Sequence, residues 1–236
     1  MLKKIISLSL FIILSCTVFA QQETVGFEFN QHYRAIDTLN TSSGVWSINY
    51  RNELPTNTRI AVSLGLDNVK LFEDDSDTDP MLKSSNQIFV QLELRQIFYY
   101  FYIKGAAQYY KIKGNAYEVT GSNSSVRYHN NYDVYEFPLS AGFTVPTKYF
   151  DVFIGANKTF FYGSNKKDVF VNNSGTETKL GSVTKQTFQT DLDIAAEGAL
   201  IYHITQEIDL ELAGIMYSDN DFSLRLSLWG PLKRMY

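Results

Sequence analysis

Apolar residues recur at every second position in ten segments between residues 24 and 231. A period of two belongs to β-strands, whose successive side chains point to opposite faces. Residues 59–67 set Ile60, Val62, Leu64 and Leu66 against Arg59, Ala61, Ser63, Gly65 and Asp67. Residues 87–95 set Ile88, Val90, Leu92 and Leu94 against Gln87, Phe89, Gln91, Glu93 and Arg95. The same alternation runs through 24–37, 44–54, 100–113, 133–145, 150–163, 188–202, 207–217 and 222–231.

Segment length separates two all-β architectures. Soluble strands average about 5–6 residues, whereas a tilted strand crossing a bilayer needs about 9–11. These ten segments run 9–15 residues. They predict an antiparallel, up-and-down transmembrane β-barrel of about ten strands with a greasy exterior and a wet lumen. Eight strands, with one hairpin outside the membrane, is the alternative. Three polar residues fall on the apolar face: Lys158, and Asn52 and Lys111 near strand ends. Lys158 either snorkels or marks a bulge that shifts the phase.

The connections sort by side. Gaps 55–58, 96–99, 146–149 and 203–206 are short, while 73–86, 114–132 and 164–187 are long and polar. Short turns at the periplasmic end and long loops outside are the outer-membrane pattern. Aromatic rings gather where strands meet the headgroups. Phe98, Tyr99, Tyr149, Phe150 and Tyr202 form the predicted inner rim, and Tyr33, Phe72, Tyr162, Phe188, Tyr217 and Phe222 the outer one.

The N-terminus supplies the route. Lys3 and Lys4 precede the apolar stretch from Ile5 to Leu14, and Val18-Phe19-Ala20 offers a cleavage site before Gln21. Residues 1–20 therefore read as a signal peptide and 21–236 as the barrel domain. A lipoprotein signal on Cys16 is the rival, with an imperfect box at Ile13-Leu14-Ser15. Cys16 is the only cysteine, so the mature chain carries no thiolate chemistry. Loss of Lys3 and Lys4 moves the formal charge from −4 to −6, which argues against nucleic acid.

At Tyr135-Glu136-Phe137-Pro138-Leu139-Ser140-Ala141-Gly142-Phe143, followed by Phe150-Asp151-Val152-Phe153-Ile154-Gly155-Ala156, the chain resembles the small outer-membrane barrel family common in Bacteroidetes. That family includes PorT, the barrel component of their secretion and gliding machinery. The resemblance implies fold and location, and carries no catalytic motif.

The inward face is charged. Its acids include Glu28, Glu93, Glu136, Asp191, Asp193, Glu197, Asp209 and Glu211; its bases include Arg34, Arg51, Arg59, Arg95, Lys104 and Arg225. Acids concentrate on the eighth and ninth segments and bases on the second to fifth, so long side chains meet across the interior. A lumen plugged by ion pairs is expected; a narrow cation-preferring channel is the alternative. In the long loop at 73–86, Asp75, Asp77 and Asp79 alternate like the start of a calcium loop, but Pro80 and Asn86 stand where Gly and Glu are needed. It reads as a solvated acidic loop and at most a weak cation site, and no cofactor is expected. Of the histidines, only His32 falls in the upper lumen, where it would serve a rim enzyme on lipid or peptide; His129 falls in a long loop and His203 in a short turn.

The sequence thus predicts a non-enzymatic barrel of the cell outer membrane, with channel and rim enzyme as alternatives. Its partners are outer-membrane lipid, the barrel-assembly machinery during biogenesis, and an envelope or surface protein met by the external loops.

Overall fold

Alternating sequence becomes a closed wall. The computed structural model describes residues 22–36, 39–73, 85–113, 117–120, 124–173, 176–182, 186–217 and 221–232. Segment 1–20, expected to be a signal peptide, lies outside them. The strands are β1 (Gln22–Ile36), β2 (Leu39–Leu54), β3 (Thr58–Glu73), β4 (Ser85–Phe98), β5 (Phe101–Lys113), β6 (Tyr117–Thr120) and β7 (Ser124–Pro146). They continue with β8 (Phe150–Asn173), β9 (Thr176–Ser182), β10 (Gln186–Asp191), β11 (Ala195–His203), β12 (Asp209–Met216) and β13 (Phe222–Pro231).

Strands β1 to β5 pair in order, β5 pairs β7, β7 pairs β8, and β8 pairs β11. Then β11, β12 and β13 follow, and β13 closes on β1 from Thr24↔Pro231 to Tyr33↔Phe222. The result is a ten-strand antiparallel barrel. Closure satisfies the backbone without leaving an edge in lipid. The walk Tyr33, Phe222, Met216, Ala196, Ala156, Ala141, Ile103, Gln96, Thr58, Leu54 steps round the ring along paired residues. It returns to β1 next to the Glu53↔Gln22 pair, far below its start. That offset is the stagger that tilts the strands of a barrel.

The faces are inverted relative to a soluble protein. Phe27, Trp46, Ile48, Leu64, Leu66 and Phe143 are more than half exposed on the outside, while Glu28, Asn49, Arg51, Glu136 and Glu211 are buried within. The rims hold much of the expected aromatic belt. Phe101 and Phe143 meet edge-on at 6.1 Å at the short-turn end. Tyr109 and Tyr135 pack at 5.0 Å, and Phe137 and Tyr162 at 5.9 Å, toward the other end. Tyr217 is a correction: it turns inward, and its hydroxyl lies 2.9 Å from Thr159 Oγ1. The side chains of Phe72 and Phe188 lie outside the described residues.

Two expected loops are mostly strand. Segment 114–132 contains β6 and the outer part of β7, and 164–187 contains the outer part of β8 with β9. Pairing of β7 with β8 runs unbroken from Pro146↔Asp151 to Ser124↔Asn173. At about 3.3 Å per residue that ribbon is roughly 75 Å long, more than twice what a 35–45° tilt needs to cross an apolar band about 25 Å tall. Above the Tyr135–Tyr162 pair it continues as a small sheet, with β6 on one side and β9 on the other.

Candidate functional site

The lumen gathers most of the predicted charges into one network. Arg225 on β13 reaches Glu211 on β12 at 2.5 Å, Glu93 on β4 at 3.4 Å and Glu28 on β1 at 3.8 Å. Arg95, beside Glu93 at 3.4 Å, also lies 3.6 Å from Glu211 and stacks over Phe153 at 4.9 Å. Arg51 pairs with Asp209 at 3.2 Å and covers the Trp229 ring at 4.4 Å. Arg59 binds Glu53 at 2.5 Å, and Lys104 pairs with Glu197. The Tyr110 hydroxyl donates to Glu136 at 3.4 Å. Bases from β2 to β5 do meet acids from β11 and β12 across the interior.

Two predicted members do not belong. Asp191 lies on the outer face, 2.6 Å from Lys158, and Asp193 is exposed. The cause is a bulge. Asp191 opposes Phe160 and Ala195 opposes Asn157, so residues 192–194 face only two residues of β8. The extra residue inverts the phase above it, and Leu192, expected outside, packs against the inner cluster. β8 itself runs straight past Lys158, so the bulge lies on the neighbouring strand. Asn52, also on the outer face, is covered, with its amide 3.5 Å from the Tyr50 hydroxyl. Lys111 pairs with Asp133 at 3.3 Å. The Arg34 side chain, Asp75, Asp77 and Asp79 lie outside the described residues.

Above the charges sits an apolar layer that sequence reasoning missed. Val45, Phe89, Tyr110, Val134 and Phe161 are buried together inside the barrel. Their signal was present: Phe89 interrupts the polar face of its own strand. Between the layers, a polar cavity of about 50 Å³ is lined by His32, Lys104, Glu136, Glu197 and others. It has room for roughly three or four waters. His32 stands in the ladder between Ser43 and Ser223, all three buried. No linear motif brings those serines to it; only the register does. At the opposite end, His203 Nδ1 lies 2.8 Å from Asp209 and Nε2 lies 3.6 Å from Asp151.

The interior supports itself in detail. Glu28 accepts hydrogen bonds from Asn49 and Ser227, each at 3.1 Å. Asn157 donates to Ser140 at 2.8 Å. Buried charges are tolerated when paired and hydrogen-bonded in this way.

Comparison with known proteins agrees on the architecture. The translocator domain of the autotransporter NalP from Neisseria meningitidis is similar over 98% of this chain and 98% of its own, with a TM-score of 0.51 and 10% identity. The β domain of the Bordetella autotransporter BrkA is similar over 90% of this chain and 100% of its own, with a TM-score of 0.51 and 8% identity. No family model matches the chain, and neither does any curated protein sequence. The likeness is one of fold. With the inverted faces and aromatic rims, it establishes a small β-barrel of the outer membrane; the narrower Bacteroidetes family finds no support in these matches.

Proposed function

We propose that this chain is a non-enzymatic outer-membrane barrel whose plugged body holds a β-sheet at the cell surface, where it contacts a partner protein or surface. The supporting observation is the β7–β8 ribbon. It continues past the Tyr109, Tyr135 and Tyr162 rings into the polar stretch Asn130-Asn131 on one strand and Asn165-Lys166-Lys167 on the other. A wall that only needed to span the bilayer could end at those rings. The paired lumen favours an anchor over a channel, because Arg51, Arg95 and Lys104 reach across it to Asp209, Glu211 and Glu197. An envelope-complex role is the narrower version, and it rests on the Pro138-Leu139 and Gly155-Ala156 pattern alone.

The test is truncation. A chain in which one short turn joins Ile112 to Tyr132 and another joins Asn165 to Gln186 should still assemble as a folded barrel, yet fail to complement a strain lacking the gene. Equal complementation by the truncated and full chains would overturn the reading. In planar bilayers the purified full chain should show no steady conductance, and a reproducible cation-selective current would restore the channel.

One observation favours a second reading. The Ser43–His32–Ser223 row places hydroxyls beside an imidazole in the upper lumen, the raw material of a nucleophile and its base. If it is catalytic, any lipid or peptide hydrolysis by the purified barrel disappears in His32→Ala. Activity unchanged by that substitution removes this reading.

A further inference from the structure

We propose that the lower lumen is a binding site for one monovalent anion of halide size, held by Arg51, Arg59, Arg95, Arg225 and Trp229. A second, separate cavity of about 10 Å³ lies within the charge network, the size of a single water-like particle. Its wall carries those four guanidiniums and three carboxylates, Glu28, Glu93 and Glu211. The partners of Arg51 and Arg59 outside the wall, Asp209 and Glu53, are already engaged by other nitrogens of those side chains.

Hydrogen bonding narrows the ligand further. The buried side-chain atoms of this wall that lack a protein hydrogen-bond partner are all donors: Arg51 Nη1, Arg59 Nη1, Arg95 Nε and Nη1, Arg225 Nε and Trp229 Nε1. Arg51, Arg95 and Trp229 are each at most 5% exposed, so bulk water does not serve them. Indole and guanidinium nitrogens have no acceptor capacity. Among the nearby carboxylate oxygens, Glu28 Oε2 already takes Asn49 and Ser227, and Glu211 Oε1 takes Arg225. A water would accept from two donors and then have to place two protons of its own. A halide accepts from several N–H groups at once and brings no proton. The site would also oppose cation passage through this level of the barrel.

The experiment uses Trp46→Phe, which removes the lipid-facing indole and leaves Trp229 as the only tryptophan. The barrel is refolded in sodium gluconate, chloride or bromide at equal ionic strength. Bromide should quench Trp229 emission saturably, chloride should relieve the quenching, and Arg59→Gln should raise the half-saturating bromide concentration at least tenfold. Crystals grown in bromide should carry an anomalous peak within hydrogen-bond reach of Trp229 Nε1. Quenching that rises linearly and is indifferent to chloride, or crystals with water alone at this position, would overturn the assignment. Should Arg59→Gln fail to fold, the bromide crystals of the Trp46→Phe protein decide.

Discussion

Glu211 is where the interior is most sensitive to a single change. It is 2% exposed and serves both Arg225 and Arg95. Removing one member of a buried charge group leaves its partners uncompensated, at a cost of about 3–5 kcal/mol. Glu211→Gln should therefore cost that order of stability in urea unfolding from vesicles. Lys111→Ala, which breaks a pair whose side chains are 54% and 38% exposed, should cost less than about 1 kcal/mol. His203 behaves differently. The Asp209 carboxylate on its Nδ1, with Asp151 beside Nε2, holds the imidazole above its ordinary value in the turn end outside the apolar band. A raised folded value means that the pair stabilises fully below the unfolded value of about 6.5 and that this support fades as pH climbs through the folded one. Thermal unfolding should show His203→Asn losing most against the parent at pH 5.5 and least at pH 8.5; a constant gap would refute the coupling. Which residues line the lumen was legible, because alternation alone sorts Arg51 and Asp209 to the same side. That these two touch was not, since 158 residues separate them and the contact depends on strand count and stagger.

Among the elements, β7 and β8 approach each other closely. Gly142 opposes Gly155. A Cβ on Gly142 would lie 2.2 Å from the Ile154 carbonyl oxygen, and one on Gly155 would lie 2.5 Å from the Tyr102 hydroxyl. The ring of Tyr102 fills the space these glycines leave inside the wall, edge-on to Phe153 at 5.4 Å. Gly142→Ala meets backbone that cannot rotate away, so it should cost about 1–3 kcal/mol, the usual penalty for overpacking. A midpoint shift in urea smaller than the reproducibility of the transition would show that the ribbon has slack. The Gly155-Ala156 step was visible in sequence, but its reason was not, because Tyr102 arrives from another strand. The bulge at 192–194 was hidden for a related cause. Leu192 and Ile194 continue the alternation perfectly on paper, and only the ladder with β8 reveals the extra residue.

As a whole, the molecule is an inside-out container with one tall wall. Leu64 is 60% exposed on its lipid face, and an arginine near mid-membrane costs about 2–4 kcal/mol in such a barrel. Leu64→Arg should lose stability on that scale in bilayers, whereas neighbouring Ser63, buried in the lumen, should tolerate Thr with a much smaller change. A neutral Leu64→Arg would mean that this face does not meet lipid. The sequence by itself determined the strand periodicity, the ten spans, the sign of each face and the side on which long connections emerge. Those follow from local rules, since a strand between lipid and water must alternate and a span must reach across. Tertiary structure alone decided which charges pair, where the phase slips, that two expected loops continue as sheet, and that Phe89 and Phe161 build an apolar layer within a polar lumen. Each of these depends on what stands across the barrel or on the adjoining strand, and no one-dimensional period carries that information.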